Sequence, residues 1–251
     1  MLDKLDLSTK AQELREYLGE DANSPMDIFS LANQISELTL VFYPLGENIS
    51  GICVRDNEIK LIAINSTMSY GRQRFSLAHE LYHLYFDEKK GFNVCSKRLD
   101  PKSENEKCAD QFASYFLAPY KSLRAKIKKV CAGGQLTIQH VISLEQYFGM
   151  SHQAMFWRLV SEGYLSSDEL GDYSSGVITA AKYLGYDDRL YKPTPVKLQK
   201  KTYGHYLKQV EELRQKDMVS SGKTDELLLD AFRDDIAFGL DEDDRGEEAI
   251  D

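Results

Sequence analysis

Apolar residues recur three and four apart in some stretches of the chain and alternate with polar ones in others, and the switches between these rhythms mark its elements. Residues 1–22 form a polar amphipathic lead-in. At Ser24-Pro25-Met26-Asp27 a capping hydroxyl, a proline for the first turn and an acid near the positive helix end predict a helix start, followed by the helix IFSLANQISEL. TLVFYPL reads as a strand, and GICVR and KLIAIN as two strands of a hairpin joined through Asp56-Asn57-Glu58. From Gly71 to Phe86 the rhythm turns helical, with Phe75, Ala78, Tyr82 and Tyr85 along one side. GFNVCSKRLDPKS is predicted as a loop, and Asn105–Leu117 as a helix that Pro119 terminates.

Beyond Gly133-Gly134, LTIQHVISLEQYFGMSHQAMFWRLVSEGYLS predicts a helix, a Gly-Met turn and a second helix capped by Ser151, a helix-turn-helix pattern. A DNA reader needs a basic recognition helix, and this one offers only Arg158 against Glu162. Phe156, Trp157 and Leu159 are therefore assigned to buried packing. After Ser174 the composition shifts. Arg189–Lys208 holds six basic residues and no acid, which predicts a solvated linker. The helices YGHYLKQVEELRQ and KTDELLLDAFRDDIAFGL and an acidic tail follow.

Charge refines this picture. The net charge is −9, and Asp241–Asp251 contributes −6 of it, so the remainder carries only −3. That balance argues against direct nucleic-acid binding, and a tail so poor in apolar residues is expected to be disordered. No apolar run approaches the ~20 residues that cross a membrane. The charged N-terminus lacks the apolar core of a signal peptide. Cys53, Cys95, Cys108 and Cys131 are widely spaced, as for free thiols in a reducing compartment. A cytoplasmic protein without membrane attachment is the expectation.

The candidate chemistry lies in FSLAHELYHLYF, where His79-Glu80-Leu81-Tyr82-His83 spells H-E-x-x-H. With five His and nineteen Glu, that pattern arises by chance in fewer than roughly one such sequence in a hundred. On a helix, residues four apart share a face, so both imidazoles reach one point, with Glu80 beside it. Two histidines, a third protein ligand and an open position for water make a catalytic zinc site, in which Glu80 takes a proton from the water. No third histidine follows at close spacing, but the next helix carries Glu104, Glu106 and Asp110. Glu106 leads the apolar row of Ala109, Ala113 and Leu117 and so faces inward, while Glu104 sits at the helix start, where the dipole alone favours an acid. Asp110, one turn on, is placed to hold the outer nitrogen of a ligand histidine. The lone histidines His140, His152 and His205 are read as ordinary surface or core residues. Arg72, Tyr120 and His205 are the candidates for a donor to the oxyanion.

RQRFSLAHELYHLYF, followed by Glu106-Ala109-Phe112-Ala113-Leu117-Pro119 in the pattern E-x-x-A-x-x-F-A-x-x-x-L-x-P, resembles the ImmA/IrrE metallopeptidases. The resemblance spans about Ser24 to Ser166, with a weaker likeness in GKTDELLLDAFRDD. It differs at Tyr82, where many members have glycine. It points to Glu106 as the third ligand. It implies a cytoplasmic peptidase whose substrate is a repressor with a helix-turn-helix of the XRE type. Some members carry their own N-terminal DNA-binding domain, and the short lead-in here leads to the expectation of a repressor acting in trans.

The combined reading is an α+β, zincin-like fold with a small antiparallel sheet packed on the HExxH helix. Its parts are a lead-in (1–23), a metallopeptidase core (24–134), a helix-turn-helix-like region (135–174), a C-terminal helical region (175–240) and the tail (241–251). Zn2+ is the expected cofactor, held by His79, His83 and Glu106, with Glu80 as general base, Asp110 behind the ligands, and a substrate strand pairing with the hairpin edge. The alternative is a regulatory protein that contacts a repressor or toxin without cutting it, its zinc structural. Glu80 discriminates, because binding alone needs no base beside an open zinc position.

Overall fold

A computed structural model describes residues 3–57, 59–87, 91–96, 103–131 and 134–240. The tail reading, Asp241–Asp251, lies outside the described residues.

The lead-in is a helix of the core. In α1 (Lys4–Tyr17), capped by Asp3, the residues Leu7, Ala11 and Leu14 are buried, and α1 packs on α4 (Glu104–Leu117). The Arg15 guanidinium, wholly buried, donates to the carbonyls of Asp21, Ser24 and Phe116 and so ties the chain start to the end of α4. The second helix, α2 (Ile28–Gln34), starts one turn later than the Ser-Pro pattern implies. Asp27 is its cap, accepting from the Phe29 and Ser30 amides, because its carboxylate and not the Ser24 hydroxyl reaches the free amides.

Five strands form one sheet in the order β4-β2-β3-β1-β5: β1 (Leu38–Tyr43), β2 (Ile49–Arg55), β3 (Lys60–Asn65), β4 (Gly91–Ser96) and β5 (Lys201–Gly204). The GICVR/KLIAIN hairpin is present, with Gly51 opposite Ile64. The sheet is mixed, not antiparallel. After reversing at each end of β2 the chain inserts β3 between β2 and β1, so β3 runs parallel to β1. The segment expected as a loop instead supplies β4, which pairs antiparallel with β2. This occupies the hairpin's outer edge, so no substrate strand can pair there, and the edge beyond it belongs to β4. The basic stretch is not a solvated linker either: β5 pairs with β1, and Lys201 and Thr202 are buried. Just before it, Tyr70 donates its amide to the Lys192 carbonyl, and Gln73 donates its side-chain amide to the Thr194 hydroxyl. These bonds fasten the C-terminal region to the start of α3 (Tyr70–Phe86).

Helix α3 lies against β2 and β3 on one side and α4 on the other. Tyr82 needs no exposed ring: it is buried, with ring centroids 5.6 Å from Phe86 and 5.5 Å from Phe112. Pro119 separates α4 from α5 (Tyr120–Cys131). Next come α6 (Ile138–Phe148) and α7 (His152–Ser161), joined through Gly149 in the left-handed region and capped by Ser151. Arg74 of α3 donates to the Gly149 and Met26 carbonyls, holding this turn and α2 together. Phe156 and Leu159 are buried as expected, but Trp157 is 44% exposed and lines a cleft. Its position follows from helical geometry, since it neighbours the buried Phe156 in sequence and so points away from the face that Phe156 and Leu159 share. The remaining helices are α8 (Leu170–Tyr173), α9 (Val177–Tyr183), α10 (His205–Gln215), α11 (Ser221–Asp230) and α12 (Asp234–Ala237). Among the described residues no helix is long and apolar enough to cross a membrane.

Candidate metal centre

His79 and His83 are adjacent turns of one face of α3, and both are buried. Glu106, in the first turn of α4, reaches them. Its Oε2 lies 3.3 Å from His79 Nε2 and its Oε1 3.2 Å from His83 Nε2, while the two Nε2 atoms are 3.1 Å apart. Ser103 caps α4 by accepting from the Glu106 amide, which fixes where that turn begins. Glu104 is exposed at the helix start.

The outer nitrogens are engaged as well. His79 Nδ1 is 2.9 Å from Asp110 Oδ1, and His83 Nδ1 is 2.8 Å from Asp87 Oδ2. With Nδ1–H donating outward, each ring turns its Nε2 lone pair toward the common point. Asp87 also accepts from Asn105 Nδ2, which joins the end of α3 to the start of α4. Glu80, fully buried, sits where its charge acts on both imidazoles.

The donor set fits a divalent metal. The donor atoms of His79, His83 and Glu106 lie within 4.8 Å of one another. Their closest separations, 3.1 to 3.3 Å, approach the edge of a tetrahedron with bonds of ~2.0–2.1 Å, roughly 3.3–3.4 Å. Three protein donors leave one position open, and two neutral imidazoles with one carboxylate suit zinc.

Without a metal the site holds protons. Burial pulls the His79 pKa down, but the hydrogen bonds to Asp110 and Glu106 and the charge of Glu80 outweigh it and push it up to about 9. His83 is also raised: burial and the neighbouring His79 oppose the rise, and Glu106, Glu80 and Asp87 drive it. The same contacts hold Glu106 well below the usual carboxylate range. A metal must displace the His79 proton, so zinc uptake at about pH 7.5 is expected to release at least one proton per ion. Calorimetric titration in buffers of different protonation enthalpy reads that number directly. A binding enthalpy that does not change with buffer would contradict it.

Asp87 and Gly51 were missed in the sequence. Asp87 had a signal, standing four after His83 at the end of the same helix. Gly51 had only the general one that a glycine inside a strand marks a close approach. A Cβ there would collide with Glu80 Oε1 and come within 3.0 Å of its Cδ and Cγ. Gly51→Ala is accordingly expected to displace Glu80 and lower peptidase activity on the order of 100-fold, as small misplacements of a reacting group do, with metal content unchanged. Paired measurements of turnover and bound metal test this; full activity in the variant would show that Glu80 has room to move.

The structure separates other candidates from the site. Tyr120 lines a different cavity with Lys4, Gln12 and Glu162, and His205 opens α10 beyond β5. His140 accepts from the Thr137 amide, and His152 Nδ1 meets the buried Glu145.

The class these features define is an α+β domain with a His-Glu-His helix and a third acidic donor from the next helix. A model of the IrrE N-terminal-like domain (Peptidase_M78) matches residues 23–159, and the chain belongs to this family. No curated protein matches the chain. Membership carries a metallopeptidase-type function and agrees with the candidate metal site.

Proposed function

We propose that this chain is a zinc-dependent endopeptidase of the cytoplasm, whose substrate is a separate repressor with an XRE-type helix-turn-helix. Cutting the repressor would free the genes it silences. The observation that carries the peptidase reading is the convergence of His79, His83 and Glu106 with Glu80 buried beside them. The choice of substrate rests on the resemblance of RQRFSLAHELYHLYF and the following acidic motif to the ImmA/IrrE members.

A zinc ion held by His79, His83 and Glu106 would supply Lewis-acid polarisation and acidify a water to a pKa of roughly 7. Glu80, fully buried beside the ligand histidines, would accept the proton of the attacking water as the water's oxygen bonds to the scissile carbonyl carbon. It then gives the proton to the departing amine nitrogen as the C–N bond breaks. Asp110 and Asp87 hold the imidazole rings in register. The peptide lies extended along the outer edge of β4, which no described strand pairs.

The test mixes the purified protein with a small XRE-like repressor encoded beside it. A single cut that needs zinc and stops with a chelator is the expected result. A stable, uncut complex that still relieves repression would replace the peptidase with a binding protein.

A further inference from the structure

Beside the candidate metal centre lies a cleft of about 1330 Å³, whose walls include Arg72 and Phe75 of α3 and Lys107, Asp110 and Gln111 of α4. Asp110 both lines this cleft and holds His79 Nδ1, so the cleft begins on the outer side of a ligand histidine. Arg72 stands there only partly exposed.

Arg72 differs from the other arginines of the interior. Arg15 donates to three carbonyls, Arg74 to two, and Arg158 to the Ser114 hydroxyl with Glu162 beside it. The Arg72 guanidinium faces the Phe75 ring at 5.6 Å and has no hydrogen bond or ion pair among the described residues. The guanidinium opens on the cleft, and an acceptor bound there would meet its N–H donors. Burial lowers its pKa and the nearby Asp110 raises it, so a carboxylate already offsets part of its charge.

The geometry points to Arg72 as a substrate-binding residue whose guanidinium donates to a main-chain carbonyl of the peptide next to the bond being cut. This rests on the peptidase reading above. A neutral carbonyl fits better than an acidic side chain. Asp110 already faces the guanidinium and Glu106 lies one turn away on the same helix, so a further carboxylate would enter against two acids. A carbonyl brings a dipole and no net charge. The contact also binds every peptide alike, whatever its side chains, and orients the scissile bond toward Glu80.

The test uses the zinc-loaded full chain and a mixture of quenched fluorogenic peptides randomised on both sides of the cleaved bond. Arg72→Ala is expected to lose kcat/KM on the order of 10- to 100-fold, the worth of a charged hydrogen bond, by the same factor for every sequence cut. Zinc content and melting temperature should stay at the wild-type level. Arg72→Lys, or free guanidinium added to Arg72→Ala, should restore part of the loss, and Lys216→Ala, exposed at the end of α10, should change nothing. A loss confined to peptides with Asp or Glu at one position would overturn the main-chain contact in favour of an acidic side-chain pocket. Unchanged kinetics, or a loss explained by missing zinc, would overturn it outright. A zinc-loaded wild type that cuts no peptide would instead remove the peptidase reading, and this inference with it.

Discussion

Glu80→Gln is expected to leave the fold and the metal content unchanged and to lower cleavage on the order of 100- to 10,000-fold, the usual worth of a positioned general base. The amide matches the carboxylate in shape, so the space between Gly51 and the imidazoles stays filled. It cannot accept a proton from water, and the three ligands are untouched. Because Glu80 is fully buried beside two histidines that its charge raises, its loss should also move the metal-free protein. The His79 pKa should fall from about 9, visible in the ring proton shifts across a pH titration. The two readouts are independent. Full cleavage by the variant would end the general-base role even if the pKa moved. Unchanged cellular activity from an uncut repressor complex would favour the binding alternative.

How much of this was legible in the sequence depends on the range of the interactions. The histidine pair and Glu80 are four residues apart or fewer on one helix, so spacing alone placed them. Glu106 could be chosen over Glu104 because the apolar row of Ala109, Ala113 and Leu117 fixes which way α4 faces, and all three are buried. Pairings set by distant partners left no such trace. GFNVCS carries glycine and asparagine among its apolar residues and reads as a loop until β2 is there to pair with it. The strand KTYG hides in a lysine-rich stretch, since edge strands are commonly blunted by charge, and its Lys201 is buried near Asp235, 34 residues away in sequence. Arg15 shows the same limit. Its partners Asp21 and Ser24 are local, but the Phe116 carbonyl is brought to it only by the packing of α1 on α4. Nothing in the lead-in's polarity announces a buried arginine. Tyr82, where a glycine is common, became readable only once Phe86 and Phe112 were seen around it.

The ligand assignment is the most exposed to refutation. Glu106→Ala is expected to abolish stoichiometric zinc, because its two oxygens are the only carboxylate atoms among the described residues that meet both Nε2 atoms, at 3.3 and 3.2 Å. Asp110→Ala and Asp87→Ala should each weaken zinc on the order of 10- to 100-fold, as loss of a partner behind a ligand histidine does. Each frees one Nδ1 and lets that ring turn or change tautomer. The two should differ in a second respect. Both carboxylates link α3 to α4, Asp110 through His79 and Asp87 through Asn105, but Asp87 in addition holds His83 within α3, so its removal breaks two of these contacts at once. Asp87→Ala is therefore expected to lower the melting temperature of the metal-free protein more than Asp110→Ala, and Asn105→Ala to reproduce part of that drop without touching either histidine. Glu104→Ala, exposed at the helix start, should leave zinc unchanged. Metal analysis of the purified variants, with thermal melts taken after chelation, separates these outcomes. Zinc lost from Glu104→Ala and kept by Glu106→Ala would overturn the ligand set and turn α4 by about half a revolution, since residues two apart on a helix point roughly 200° apart.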